Sequence, residues 1–317
     1  WLCIFLTSAA VSATGMLMVR RTPESKAAFE RDYRFDTMGV LTFMVTMVAL
    51  QVLATQGSEI GWTNPITLGL AVVAVVVGVM FFRAETKARN PFVNFALFGN
   101  STYTGATISN FMLNGVAGML LVSMMLVQLG GGLSAQEAGM LTLGYAIAIV
   151  AFIRVGEKLL QKFGARKPMI WGSLIVGLSI AMLMPTNLLI GQYKMLAVAA
   201  YSLFGLGLAF YATPSTDAAL SNLPDDQAGS GSGLYKMASS LGASFGVAIS
   251  AAIFTALTAV SESTGWMEGV FTFAGRQDNV AVRQAALIAL GFNLLMVVAA
   301  IVSIMLTVPE ASKRGKM

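Results

Sequence analysis

No histidine occurs among the 317 residues, and cysteine occurs once, at Cys3. Without imidazole there is no proton relay, general base or metal ligand of that type, so any proton coupling has to run through carboxylates. A single cysteine excludes an internal disulfide and any Cys-based metal cluster. Charge is scarce as well. Asp, Glu, Lys and Arg make up 11% of the chain, and none of them falls between Asn90 and Gln136. An intramembrane enzyme would need a nucleophile and its base, or metal ligands, within the spans. The missing histidine and the lack of carboxylates near the centre of any span argue against one. No catalytic residue, metal or cofactor is expected.

What is abundant is apolar surface. Hydrophobic residues account for 56% of the chain and the mean hydropathy is +0.74. Uninterrupted apolar runs recur at more than the roughly 20 residues that cross a bilayer. The expectation is an all-α, multi-pass membrane protein rather than a pair of soluble domains, with membrane lipid as its surroundings. Nine helices are expected, over about residues 2–19, 36–56, 65–82, 101–128, 134–160, 168–185, 194–213, 232–257 and 284–308. Residues 90–100 are rich in aromatics and read either as an interfacial segment or as the start of the fourth helix. Ser134 and Glu137 have capping-box spacing, and Pro65 suits a first helical turn.

The excess of cations, with a pI near 9.4, reads as an orientation signal and not as a nucleic-acid site. Threaded through nine helices, seventeen of the twenty Lys and Arg fall on one side of the membrane. That side is expected to be cytoplasmic, and the C-terminus with it.

Several residues stand out as sites. Ala238, Gly242, Gly246 and Ser250 recur every four residues on one helix face, a ladder that lets two helix backbones approach closely in a membrane. Before it, Tyr211 onward reads as a polar, acidic loop containing Asp217, and residues 229–233 read as a flexible glycine hinge ahead of Lys236. The stretch is expected to be a moving joint. Tyr103, Thr107, Asn110 and Asn114 form a polar stripe on the fourth helix, which fits either hydrogen bonding between helices or a water-filled cavity. Tyr201, Phe204 and Tyr211 would suit planar or cationic ligands, although Tyr211 equally fits an interfacial belt. The 20 methionines fit an adaptable wall or ordinary packing.

Several motifs together carry a resemblance. They are Tyr103-Thr-Gly-Ala-Thr107, Asn114-Gly-Val-Ala-Gly118, Arg154-Val-Gly-Glu157, Tyr211-Ala-Thr-Pro-Ser-Thr-Asp217, Gly229-Ser-Gly-Ser-Gly-Leu234 and Leu241-Gly-Ala-Ser-Phe-Gly246. The chain resembles the major facilitator superfamily, within it the fourteen-helix drug:proton antiporters, and most closely the Nor-type quinolone and multidrug efflux pumps. The resemblance implies the C-terminal portion of that fold. Residues 1–19 would be the last helix of an N-terminal bundle, and residues 20–100 a cytoplasmic loop with two linker helices. Residues 101–317 would be a six-helix bundle of inverted three-helix repeats. Trp1 would then lie in the sixth helix, with five helices and the proton-titrating carboxylate upstream, and Pro23-Glu24-Ser25 would match a post-helix signature. The implied activity is export of amphipathic drugs across a bacterial cell membrane in exchange for protons, by a protein that is monomeric when complete. A carrier of another small metabolite, or a non-transporting scaffold, are the alternatives. The loop with Arg154, Glu157, Lys162, Gly164, Arg166 and Lys167 resembles the superfamily's cytoplasmic signature, but Gln161 stands where that signature has Asp. The positive-inside rule alone would also account for its cations.

Overall fold

In the computed structural model of the chain, residues 2–20, 36–61, 63–88, 91, 93, 95–221, 223–224, 227–261 and 279–310 are described. The charged loop with Pro23, Glu24 and Ser25, the loop around Arg276 and the basic tail lie outside them. The elements in chain order are α1 (Leu2–Val19), α2 (Thr37–Ile60), α3 (Pro65–Glu85), a 3-10 turn (Phe95–Gly99), α4 (Ser101–Gly115), α5 (Gly118–Met125) and a π turn (Leu126–Gly130). They continue with α6 (Ala135–Leu141), α7 (Leu143–Phe163), α8 (Arg166–Leu183), α9 (Ile190–Leu220), α10 (Ala228–Ser261) and α11 (Val280–Thr307). No strand occurs among the described residues.

The chain divides into two compact units, residues 1–35 and residues 36–317. The first contributes α1, a helix of 18 residues without a charged side chain. All other helices belong to the second. Six helical stretches are long and apolar enough to cross a membrane: Pro65–Glu85, Ser101–Gly130, Ala135–Phe163, Ile190–Leu220, Ala228–Thr258 and Val280–Thr307. Their outer faces carry bare apolar side chains such as Val150 and Leu306, 78% and 80% exposed. Such a surface is stable only against lipid or protein. The protein is a multi-pass membrane protein.

Local chemistry sets the helix starts. Asp36 accepts the Gly39 N–H at 2.8 Å, and Asn64 accepts that of Ile66 at 2.9 Å, with Pro65 in the first turn where no N–H is needed. Ser134 and Glu137 form the full capping box, the Ser134 N–H reaching Glu137 Oε2 at 2.9 Å. Asn100 accepts the N–H groups of Thr102 and Tyr103, at 3.0 and 3.1 Å, and so starts α4. Gly164 closes α7 with φ +73°, a conformation that favours glycine.

Two expectations need correction. Residues 229–233 are not a hinge but the first turns of α10. Ser230 and Ser232 bond back to the carbonyls of Gln227 and Gly229, at 3.1 and 2.9 Å, in helical geometry. The polar stretch from Tyr211 is not a loop, since α9 runs through Pro214 to Leu220. A helix inside a bilayer tolerates a proline because neighbouring groups satisfy the freed carbonyl and water does not compete. The fourth helix runs as one stretch, Ser101–Gly130, with a tighter turn at Val116 and Ala117 between α4 and α5 and a π turn at its end. Residues 95–99 form a separate 3-10 turn before α4, where Phe95 packs on Phe82 and Phe81 of α3 at 5.0 and 6.1 Å.

In the second unit α9 lies against both α7 and α8, while α4 lies against α10 and α11. Glycine takes α4, α5 and α10 to backbone contact. A Cβ built on Gly242 would overlap the Phe111 carbonyl, one on Gly246 the Gly115 carbonyl, and one on Gly118 would lie 2.6 Å from Gly246 O. The α2–α3 hairpin touches α10 through Gln51, whose amide donates to Ser244 Oγ at 2.5 Å.

Candidate functional site

A cavity of about 340 Å³ opens between α4, α7, α9 and α10. Asn110 and Asn114 reach it from α4, Ile149 and Ile153 from α7, Tyr211 and Thr216 from α9, and Tyr235, Lys236, Ser239 and Ser240 from α10. Eight of these ten carry an amide, hydroxyl or ammonium. In a membrane protein such a lining is stable only where the groups bond each other or meet water or ligand.

The polar groups form an ordered set. Asn110 is buried, and its amide donates to Ser239 Oγ at 2.5 Å and to the Tyr235 carbonyl at 3.1 Å. Asn114, half-buried one turn on, donates to the carbonyl and the Oδ1 of Asn110, both at 2.8 Å. Behind them the Tyr211 hydroxyl pairs with Ser109 Oγ at 2.7 Å. The Tyr235 hydroxyl donates to Ser215 Oγ, also at 2.7 Å. Three helices are therefore laced together at the back of the cavity, and the aromatic rings are held in place by their own hydroxyls.

The residues singled out in the sequence separate into two groups. Asn110, Asn114 and Tyr211 meet at the cavity, and Tyr211, 2% exposed, is not an interfacial belt residue. Tyr103, Thr107, Tyr201 and Phe204 are buried between helices and do not line it. Tyr103 donates to the Gly231 carbonyl at 2.9 Å. Tyr201 pairs with Ser123 of α5 at 2.6 Å, and Phe204 stacks on Tyr145 of α7 at 5.3 Å. Thr107 is buried with its hydroxyl unbonded.

Of the ladder, Gly242 and Gly246 make the backbone contacts described above, and Ser250 accepts from the Asn293 amide of α11 at 2.9 Å. Ala238 is buried on the same face. Asp217 is exposed in the last turn of α9, where its carbonyl takes the Ser221 N–H.

Of the residues read as a basic loop, Arg154, Glu157 and Lys162 lie in α7 and Arg166 and Lys167 in α8, with only Gly164 and Ala165 between. Arg154, Glu157 and Lys167 are exposed, and Lys162 lies over the Phe163 ring at 5.2 Å. Arg166 behaves differently. Its guanidinium donates to the Met305 carbonyl at 2.9 Å and pairs with Glu310 at 3.5 Å, which ties the start of α8 to the end of α11.

Sequence reasoning missed Tyr235, Ser239 and Ser240 as cavity residues. The signal was a polar run, Tyr235-Lys236 and Ser239-Ser240, inside an otherwise apolar helix. It also missed two buried charged groups at helix ends. Glu85 is 3% exposed and accepts the Val93 N–H at 3.0 Å. Arg283 donates to the carbonyls of Thr186 and Leu188. Among the described residues no group of His, Cys, Asp and Glu could hold a metal ion.

Comparison with known proteins places these observations. Residues 1–247 and 102–317 both match the model of the Major Facilitator Superfamily. A quinolone resistance protein NorB of Staphylococcus aureus strain MRSA252 is 40% identical over 276 residues, covering 87% of this chain and 60% of that protein. The NorB of strain COL is 38% identical over 310 residues, 98% of this chain and 63% of that protein. The chain thus spans a little over 60% of the length of these curated relatives.

Proposed function

Since the chain belongs to the major facilitator superfamily, we propose that it forms the C-terminal portion of an efflux transporter that exports amphipathic drugs, quinolones among them, in exchange for protons. The observation that carries this reading is the cavity of about 340 Å³. It combines flat aromatic walls with amides and hydroxyls, the mixture that orients a small amphipathic ligand without reacting with it. The names of the NorB relatives support quinolones as one substrate class.

In this reading residues 1–19 end an N-terminal bundle, residues 20–100 hold a cytoplasmic loop and two linker helices, and residues 101–317 form the C-terminal bundle. The two bundles rock about a midplane site, exposing it alternately to each side. The backbone contacts at Gly242 and Gly246 are the bearing on which α10 moves. The basic loops and the C-terminus lie in the cytoplasm. Among the described residues no carboxylate lines the cavity; in this reading the coupling proton binds elsewhere in the transporter, and drug and proton compete through the conformational equilibrium and not for one atom.

The test is uptake of a fluorescent quinolone into inverted membrane vesicles from cells expressing the gene. Accumulation that follows an imposed pH gradient and collapses with a protonophore is expected. Equal signals with and without the gradient overturn proton exchange, and no uptake beyond vector controls overturns drug export.

A further inference from the structure

Among the described residues the wall of the cavity is neutral except at one position, Lys236 of α10. It is exposed toward the opening, and its ammonium lies 5.8 Å from the centre of the Tyr235 ring. Among the described residues no carboxylate comes within ion-pair distance of it. Lys236 is one of the seventeen cations on the basic side, and it lies within a helix, eight residues into α10, about 12 Å along the axis at 1.5 Å per residue. A cation at such a place is costly and marks a substrate or ion path.

Its surroundings define what it can hold. One turn on, Ser239 and Ser240 place hydroxyls on the same wall, and Asn110 faces them from α4. Ser239 receives the Asn110 amide and gives its own proton to the Tyr235 carbonyl at 3.3 Å, so Ser240 is the residue whose hydroxyl is offered to the cavity. The Lys236 ammonium and the Ser240 hydroxyl, one turn apart on α10, match a carboxylate, which accepts several hydrogen bonds at once. The rings of Tyr211 and Tyr235 are fixed beside them and suit the flat body of an aromatic acid.

We propose that Lys236 is the specificity-determining residue of this cavity, binding the carboxylate of an anionic or zwitterionic aromatic substrate. This rests on the reading of the cavity as the drug site. A substrate without a carboxylate leaves the ammonium to water and gains nothing from it. The residue thus sorts aromatic acids from aromatic cations of similar size, because a desolvated like charge beside Lys236 is repelled.

The test compares a quinolone carrying its free carboxylate with the ethyl ester of the same compound, on the protein as expressed from its gene. Half-saturation for transport is measured in inverted vesicles, and affinity in the absence of any gradient by equilibrium binding to protein in nanodiscs. Lys236→Gln is expected to raise the half-saturation and dissociation constants of the acid about tenfold relative to those of the ester, the usual scale for a charged hydrogen bond. Lys236→Arg should restore most of the difference. Equal changes for acid and ester, or no binding of either by the wild-type protein, overturn the assignment. Should vesicles transport neither compound while binding still favours the acid through Lys236, the export reading falls and the carboxylate site stands. Should both be transported without discrimination, the export reading stands and the carboxylate site falls.

Discussion

Gly246 of α10 rests on Gly115 of α4 with no space for a side chain, since a Cβ on Gly246 would run into the Gly115 carbonyl. Gly229 and Gly233 of the same helix have open space at the corresponding point. The same substitution should therefore act in opposite directions at the two kinds of site. Gly233→Ala removes the helix penalty of glycine and should stabilise by about 0.5–1 kcal/mol. Gly246→Ala should destabilise, and Gly246→Leu should cost about 1–3 kcal/mol through overpacking. Thermal unfolding in detergent is the measurement. A stable Gly246→Leu protein with ordinary export would show that the contact is not held during transport.

Asn110 and Asn114 should respond differently. Asn110 bonds across to α10, whereas Asn114 bonds within its own helix to Asn110. Asn110→Leu should lower stability by about 0.6–2 kcal/mol, the range of hydrogen bonds between membrane helices, and also change drug selectivity. Asn114→Leu should change relative resistance among drugs at normal surface expression. Drug-resistance profiles with expression controls read both effects. Equal loss of expression in both variants would make the pair structural only.

Topology is tested through the basic loop. With Cys3 replaced by Ala, a cysteine at exposed Lys162 should react with a membrane-impermeant maleimide only after the cells are opened. Labelling of intact cells would invert the orientation that seventeen of the twenty cations specify.

Arg166 and Glu310 should not be equal partners. Glu310 is 71% exposed and pairs with Arg166 at 3.5 Å, and exposed ion pairs contribute about 0–1 kcal/mol. Arg166 additionally occupies the Met305 carbonyl in the last turn of α11, where a cation also favours the helix dipole. Arg166→Ala should speed amide exchange over residues 303–308 severalfold, with Glu310→Ala close to wild type. The reverse order would assign the tie to the ion pair.

Local rules were readable from the chain alone. The capping box at Ser134 and Glu137 spans three residues, and Pro65 acts within one turn, so neither depends on the rest of the protein. The glycine ladder was readable as a contact face, but its partner, α4, is more than a hundred residues away and could not be named. The same limit divided the polar stripe. Tyr103 and Asn110 have compatible helical spacing, yet one meets the Gly231 carbonyl and the other a cavity, because the facing helix decides. Pro214 and residues 229–233 were misread for a related reason. Proline and glycine are strong helix breakers in water, where a freed backbone group finds solvent, and weak ones among packed membrane helices.

The two glycine contacts on α10 are four residues apart, and each seats a carbonyl of the facing helices in a notch. Two notches make a ratchet with no intermediate stop. Turning α10 about its axis would bring Leu241 or Phe245, the neighbours of the two glycines, to face carbonyls that leave no room even for a Cβ. What survives is a tilt about an axis that crosses the helix at the notches, which swings the ends of the helix in opposite directions while its middle stays still. Lys236 lies on one side of that pivot and the Ser250–Asn293 bond on the other, so a motion that opens the cavity mouth strains a buried amide at the far end. The Gln51–Ser244 bond lies almost on the pivot, where the α2–α3 hairpin can stay attached through the whole swing.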